Sequence, residues 1–117
     1  MHTLWKAFRN TCAGLLHAGS TERAVQQELI LLAIAIPAAF AVGTTTWERI
    51  ALVSTILLLL AVELLNTSIE KLCDHVTPHT HPTIKIDKDM GSAAVFCALC
   101  IAGLAWGAAF LMRLGFL

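Results

Sequence analysis

Leu57–Asp74 reads LLLLAVELLNTSIEKLCD. It opens as an apolar run suited to a membrane-buried helix. It then carries Glu63, Asn66, Glu70 and Asp74 at spacings of three, four and four residues. At about 100° per residue these four fall within roughly an 80° arc, one narrow stripe of a helix. A charged side chain at the centre of a helix in lipid costs about 2.5–3.5 kcal/mol, so carboxylates retained there mark a functional site.

Outward from that stripe the rest of the chain is as apolar. Of the 117 residues, 57% are hydrophobic and only 14% charged, where about 25% charged is usual for a soluble domain. The net charge is zero, which leaves no electrostatic footprint for nucleic acid. Upstream, Leu29 to Trp47 holds no charge over 19 residues, long enough to span, though Pro37, Gly43 and Thr44–Thr46 weaken its outer half. Leu29–Ile36 followed by Ala39-Phe40-Ala41 also resembles a signal h-region and cleavage site, but Glu22 and Glu28 in the preceding segment are wrong for an n-region. Ile50 to Ile69 is the second span, and Met90 to Met112 the third.

Around the spans, Leu4, Trp5, Phe8, Cys12, Leu15 and Leu16 recur at helical spacing with Lys6, Arg9 and Asn10 between them. This pattern predicts an amphipathic helix, either lying in the membrane surface or packed on the protein's own core. Gly19 is expected to end it and Ser20 to cap the next helix, with Glu22 in a first turn. Glu48-Arg49 is expected to turn the chain. Thr77-Pro78 and His81-Pro82 break the helix after Asp74, and Asp87 is placed to cap the third span. The expected class is therefore all-α and integral to a membrane: one domain over 1–117 with a surface helix at 1–18, a first span with its water-side extension at 20–47, a second at 50–76, a loop at 77–86 and a third span at 87–113.

Lys and Arg set the orientation. Lys6, Arg9, Arg23, Lys71, Lys85 and Lys88 fall on one side, and only Arg49 and Arg113 on the other. The positive-inside rule puts the N-terminus and the 70–90 loop in the cytoplasm. A chain with three spans hides little polar surface by itself, so self-association is expected. Cys97 and Cys100 have CxxC spacing inside an apolar run, which suits small packing residues rather than a redox or metal motif.

By depth the polar residues form two groups. Glu63 lies one to two turns inside the span, seven residues from Glu70 at about 1.5 Å each. There it is placed to accept a proton from a hydroxyl. Glu22, Glu70, Asp74, Lys88, Asp89 and the loop histidines lie at or beyond the water edge. Carboxylates at that edge suit Mg²⁺, which takes one or two protein carboxylates plus phosphates and water. Lys88 suits phosphate oxygens. These are the parts of a phosphoryl-transfer site. Against this stand a proton relay or channel using Glu63 as its intramembrane acid, a membrane interaction module, and a zinc site at Asp74, His75, His79 and His81, for which no second ligand cluster exists. Neither GxxxxGK[ST] nor GxGxxG occurs.

ELLNTSIEKLCD at 63–74, followed after thirteen residues by KDMGSAAV at 88–95, resembles the prokaryotic diacylglycerol kinase family of small three-span membrane enzymes. Glu22 and Glu28 fit the upstream part, and the likeness runs over nearly the whole chain. The resemblance implies a homotrimer with sites shared between subunits at the cytoplasmic face of the bacterial inner membrane. It implies transfer of the γ-phosphate of Mg-ATP to diacylglycerol. It sets Glu63, with Asn66 and Lys88, in the catalytic group, and Glu22 and Glu70 as ligands of Mg²⁺. Glu22, Glu70, Asp74, His79, Thr80, His81, Lys88 and Asp89 fall on the nucleotide site. Glu28, Arg49, Glu63, Ser92 and Trp106 fall on the lipid site. Thr3 and Asn10 stand where the family pattern has a basic and an aromatic residue, so Asn10 is carried as a nucleotide-site position, with Lys6 or Arg9 to supply the basic contact. The sister group phosphorylates undecaprenol, and HP-x-IK-x-x-KD at 81–89 is similar to it, whereas DMGSAAV favours diacylglycerol.

Overall fold

The computed structural model describes residues 2–79 and 81–117. These form four helices and, among the described residues, no strand: α1 (His2–Thr21), α2 (Arg23–Val42), α3 (Thr46–Val76) and α4 (Pro82–Arg113). Three of them, α2, α3 and α4, are long and apolar enough to cross a membrane. The 20 residues of α2 make about 30 Å of helix, the thickness of a bilayer's hydrocarbon core. The 31 residues of α3 and 32 of α4 run well past that. The C-terminal end of α3 and the N-terminal end of α4 therefore project beyond the start of α2, which is where the carboxylate stripe leaves the span.

Helices α3 and α4 end where expected, at Val76 and Arg113, whereas their starts and the α1–α2 boundary moved, each for a local reason. The first helix does not stop at Gly19. Ser20 and Thr21 turn their hydroxyls back onto the His17 carbonyl at 2.9 and 2.8 Å, so Ser20 is spent inside α1. Glu22 is the extended residue between α1 and α2 (φ −106°, ψ 116°). Glu48-Arg49 is not a turn. The Thr45 hydroxyl accepts from the Glu48 amide at 3.2 Å, and the Glu48 carboxylate accepts from the Thr45 amide at 3.0 Å. This reciprocal box starts α3 at Thr46 and places Glu48 in its first turn. Thr45→Ala is expected to cost about 1 kcal/mol, seen as a lower unfolding temperature in detergent micelles. At the third span His81 replaces Asp87 as cap, its Nδ1 accepting from the Thr83 amide at 3.2 Å. Pro82 begins α4, because its missing N–H is one that the first turn leaves unpaired anyway. Pro37 is accommodated within α2.

α3 is the central helix, packed on α2 along one side and α4 along the other. Small residues make the close seams. Ala18, Val25 and Leu60 form one layer, Ala35, Ile56 and Ala102 a second, and Ala39, Leu52 and Ala109 a third. Short side chains let helices approach where lipid supplies no hydrophobic drive. Outward-facing Ile30, Ile34, Phe40, Leu57, Leu65, Phe96 and Leu104 are exposed, as suits a lipid-facing surface. Cys97 and Cys100 lie on that outer face, free rather than packed inside.

Of the two readings of α1, the structure favours the membrane surface. Leu4, Trp5, Phe8 and Leu16 are all more than half exposed, and only Ala18 of this helix is buried. Trp5 and Phe8 stack on each other at 5.9 Å between ring centroids, forming an exposed apolar ridge.

Candidate active site

The water-side ends of α1, α2, α3 and α4 meet in one region, because the chain enters α2, leaves α3 and enters α4 there. The stripe on α3 supplies most of its polar groups. Glu63 is half-buried and accepts from the Thr67 hydroxyl at 3.4 Å. One turn on, Asn66 is 8% exposed, and its Nδ2 donates to Glu70 Oε1 at 3.2 Å. Asp74, a further turn out, pairs with Lys88 Nζ at 2.5 Å. That pair ties the end of α3 to the start of α4.

From α2, Glu28 has its Oε2 buried without a partner. Glu22, at the α1–α2 corner, pairs with Lys71 Nζ at 2.7 Å. The neighbouring ammonium holds the Glu22 carboxyl below the usual carboxylate range. Lys85 and Asp89 pair at 2.7 Å on the exposed face of α4. An open pair of this kind contributes little to stability.

The lysines and acids thus sort themselves. Glu22, Asp74 and Asp89 each have a lysine, whereas among the described residues Glu28, Glu63 and Glu70 have no ion-pair partner, nor does Asp87 at the start of α4, away from the stripe. Three carboxylates without a cation, at the boundary of lipid and water, create a negative potential that a divalent ion would relieve.

Two cavities flank this group. One, of about 410 Å³, lies between α1 and α3 and is lined by Asn10, His17, Glu22, Thr67, Ser68 and Lys71 among others. The second, of about 200 Å³, lies between α3 and α4 against Asp74, Thr77, His79, His81, Lys85 and Lys88. Lys6 and Arg9 line a separate groove with Asn10 and Ala13, so Asn10 stands on the rim shared with the larger cavity. Thr80 lies outside the described residues. The fold brings together Asn10, Glu22, Glu28, Glu63, Asn66, Glu70, Asp74, His79, His81 and Lys88 at one end, with Asp89 and Ser92 exposed beside them.

Arg49 and Trp106 are not brought there. Arg49 is fourteen residues before Glu63 on α3, about 21 Å along a continuous helix. Its Nε donates to the Gly43 carbonyl at 3.3 Å, and its guanidinium lies 5.1 Å from the centre of the Phe40 ring. Trp106 Nε1 donates to the Leu52 carbonyl at 3.1 Å and to Thr55 Oγ1 at 3.0 Å. That pins the indole more than two turns outward of Glu63. Conversely, Lys71 and Thr67 belong to the region although sequence reasoning gave them no place in the site. The contact of Lys71 with Glu22 joins two helices far apart in the chain, and no local spacing announces it.

The Mg²⁺ expected at this end would fall to Glu22 and Glu70, and the donor set fits. Both are hard oxygen ligands at the water edge, and Mg²⁺ needs no more than one or two of them. Among the described residues no three His, Cys, Asp or Glu side chains converge.

A family model for prokaryotic diacylglycerol kinase matches residues 9–110 of this chain. The chain is 43% identical over 94 residues to the diacylglycerol kinase of Haemophilus influenzae, covering 80% of each. It is 43% identical over 94 residues to that of Pseudomonas aeruginosa, covering 80% of this chain and 76% of the relative. To the Escherichia coli diacylglycerol kinase it is 34% identical over 101 residues, covering 86% and 83%.

Proposed function

The chain belongs to the prokaryotic diacylglycerol kinase family and is an integral membrane lipid kinase, and on that premise we propose that it transfers the γ-phosphoryl group of ATP to diacylglycerol, giving phosphatidic acid and ADP. The site faces the cytoplasm of the bacterial inner membrane and is completed between neighbouring subunits of a homotrimer.

The observation that carries this reading is the depth of the unpaired acids. Glu63 lies two turns, about 10 Å, lipid-ward of Glu70 on the same stripe. That is close to the span of a metal-bound phosphoryl group in contact with a hydroxyl that a carboxylate accepts from. The acceptor enters from the bilayer with its hydroxyl at Glu63, and the nucleotide enters from water.

The hydroxyl oxygen attacks the γ-phosphorus, and the bond from that phosphorus to the bridging oxygen breaks, leaving ADP. Glu63 takes the hydroxyl proton as the new P–O bond forms. Glu22 and Glu70 would hold Mg²⁺, which would supply neutralisation of phosphate charge when bound. Lys88 on α4 stabilises the negative charge of the nucleotide, while Asn10, His79 and His81 bound the space for its remainder. Positioning and fixed charge do most of the work, since this transfer asks little covalent chemistry of the protein. On the lipid side, Leu31, Ile34, Leu59, Leu99 and Trp106 line an apolar groove of about 350 Å³. An acyl chain lying there would place Trp106 at the tail rather than at the headgroup.

Purified protein in micelles, incubated with ATP labelled at the γ position and with diacylglycerol, undecaprenol or a plain alkyl alcohol, tests the reading. Label is expected in phosphatidic acid, at a rate well above the other acceptors. Preferential labelling of undecaprenol would replace the acceptor, and no lipid labelling at all would overturn the reading.

A further inference from the structure

Asn66 sits on the face of α3 that packs against α4, and it is 8% exposed. Its Nδ2 donates to Glu70, while its Oδ1 is buried and accepts nothing. This orientation of the amide is chemically required, because an ionised Glu70 carboxylate can only accept and must face the NH₂ end. The oxygen is thereby turned toward α4.

Gly91 stands opposite. A Cβ on Gly91 would lie 2.2 Å from Asn66 Oδ1 and 3.3 Å from its Cγ. Real atoms do not approach so closely, so the amide of Asn66 occupies the space that any side chain at 91 would need. Gly91 is also buried in the third turn of a 32-residue helix, an interior position where glycine is a poor helix former. It lies one turn after Lys88, so contact at this point also fixes the level of Lys88 against the α3 stripe.

We infer that Gly91 is a positioning residue for the kinase: its missing side chain opens a slot into which Asn66 inserts, and the inserted amide holds the Glu70 carboxylate in its metal-binding orientation. Glu70 has no lysine, and Asn66 is the hydrogen-bond donor given to it by this chain. A methyl group at 91 must push Asn66 aside, and Asn66 cannot move without releasing Glu70. The inference rests on the reading of Glu70 as a metal ligand.

The test compares Gly91→Ala, Asn66→Ala and the double substitution in the full chain. Three quantities are measured: the Mg²⁺ concentration for half-maximal rate, kcat at saturating Mg²⁺, and the unfolding temperature in micelles. Gly91→Ala is expected to raise the half-maximal Mg²⁺ concentration about tenfold, the scale on which groups orienting a metal ligand act, while kcat at saturation changes less than twofold. The double variant should be no worse in Mg²⁺ dependence than Asn66→Ala alone, because without the amide there is nothing for the methyl to strike. It should also unfold at a higher temperature than Gly91→Ala. Additive effects of the two substitutions, or an unchanged Mg²⁺ dependence in Gly91→Ala, would overturn the inference.

If Gly91→Ala fails to fold, recovery of folding in the double variant still reads the slot, and failure of both variants to fold counts against it. Glu70→Ala serves as the control. An unchanged Mg²⁺ dependence there removes the metal role itself. A raised one beside an unaffected Gly91→Ala removes only the slot.

Discussion

Glu63→Gln is expected to lower the rate of phosphate transfer by about 10²–10⁴, the usual contribution of a positioned general base, while Mg-ATP affinity stays within about twofold. The substitution keeps the shape and the hydrogen bond from Thr67, but an amide oxygen does not take the hydroxyl proton. Nucleotide affinity should hold because Glu63 lies two turns from the water edge. The two quantities separate cleanly if the rate is followed with labelled ATP and binding with a non-hydrolysable analogue. Substantial turnover in the glutamine variant would remove Glu63 as the base. A proton relay built on the same acid would make no demand on Glu22, Lys88, His79 or His81, whereas transfer from a nucleotide uses them all.

The second large effect is expected at Glu70→Ala. Here the loss should appear in the Mg²⁺ dependence and in nucleotide affinity rather than in the chemical step alone. Residues that merely orient a metal ligand are worth about 10–100-fold in metal affinity, so removing the ligand itself should cost at least that. Asn66 would also lose the acceptor of its Nδ2, leaving a buried amide without its partner and adding about 1–3 kcal/mol of destabilisation. Titration of Mg²⁺ at fixed ATP checks the first effect and thermal unfolding the second. Nucleotide affinity equal to that of the unsubstituted protein would reject the metal role.

Much of this architecture was legible residue by residue. The uncharged runs named three spans, and the stripe from Glu63 to Asp74 named the helix that carries the site. Both are properties of a single helix, readable from period and composition alone. The helix ends were less legible, because several residues competed for each cap. Ser20 looked like a cap and became a back-bonded helix residue. Thr45 with Glu48, and His81 with Pro82, took the roles assigned to Glu48-Arg49 and Asp87. Arg49 and Trp106 were placed on the lipid site by likeness to a family pattern, and only the run of α3 showed how far along the span from Glu63 they lie.

By itself the sequence determined the class, the three membrane-crossing segments, the end at which polar chemistry collects and the identity of the deep acid. Hydropathy and helical periodicity act within one segment, and expensive charges in lipid cannot be mistaken for filler. Only the tertiary structure decided which acids lysines neutralise, and that Lys71 reaches Glu22 across the α1–α2 corner. It also decided that Asn66 lies in a space Gly91 leaves open. Those contacts depend on the register between helices, and register is set by side chains meeting across a seam, where no spacing along the chain records the partner.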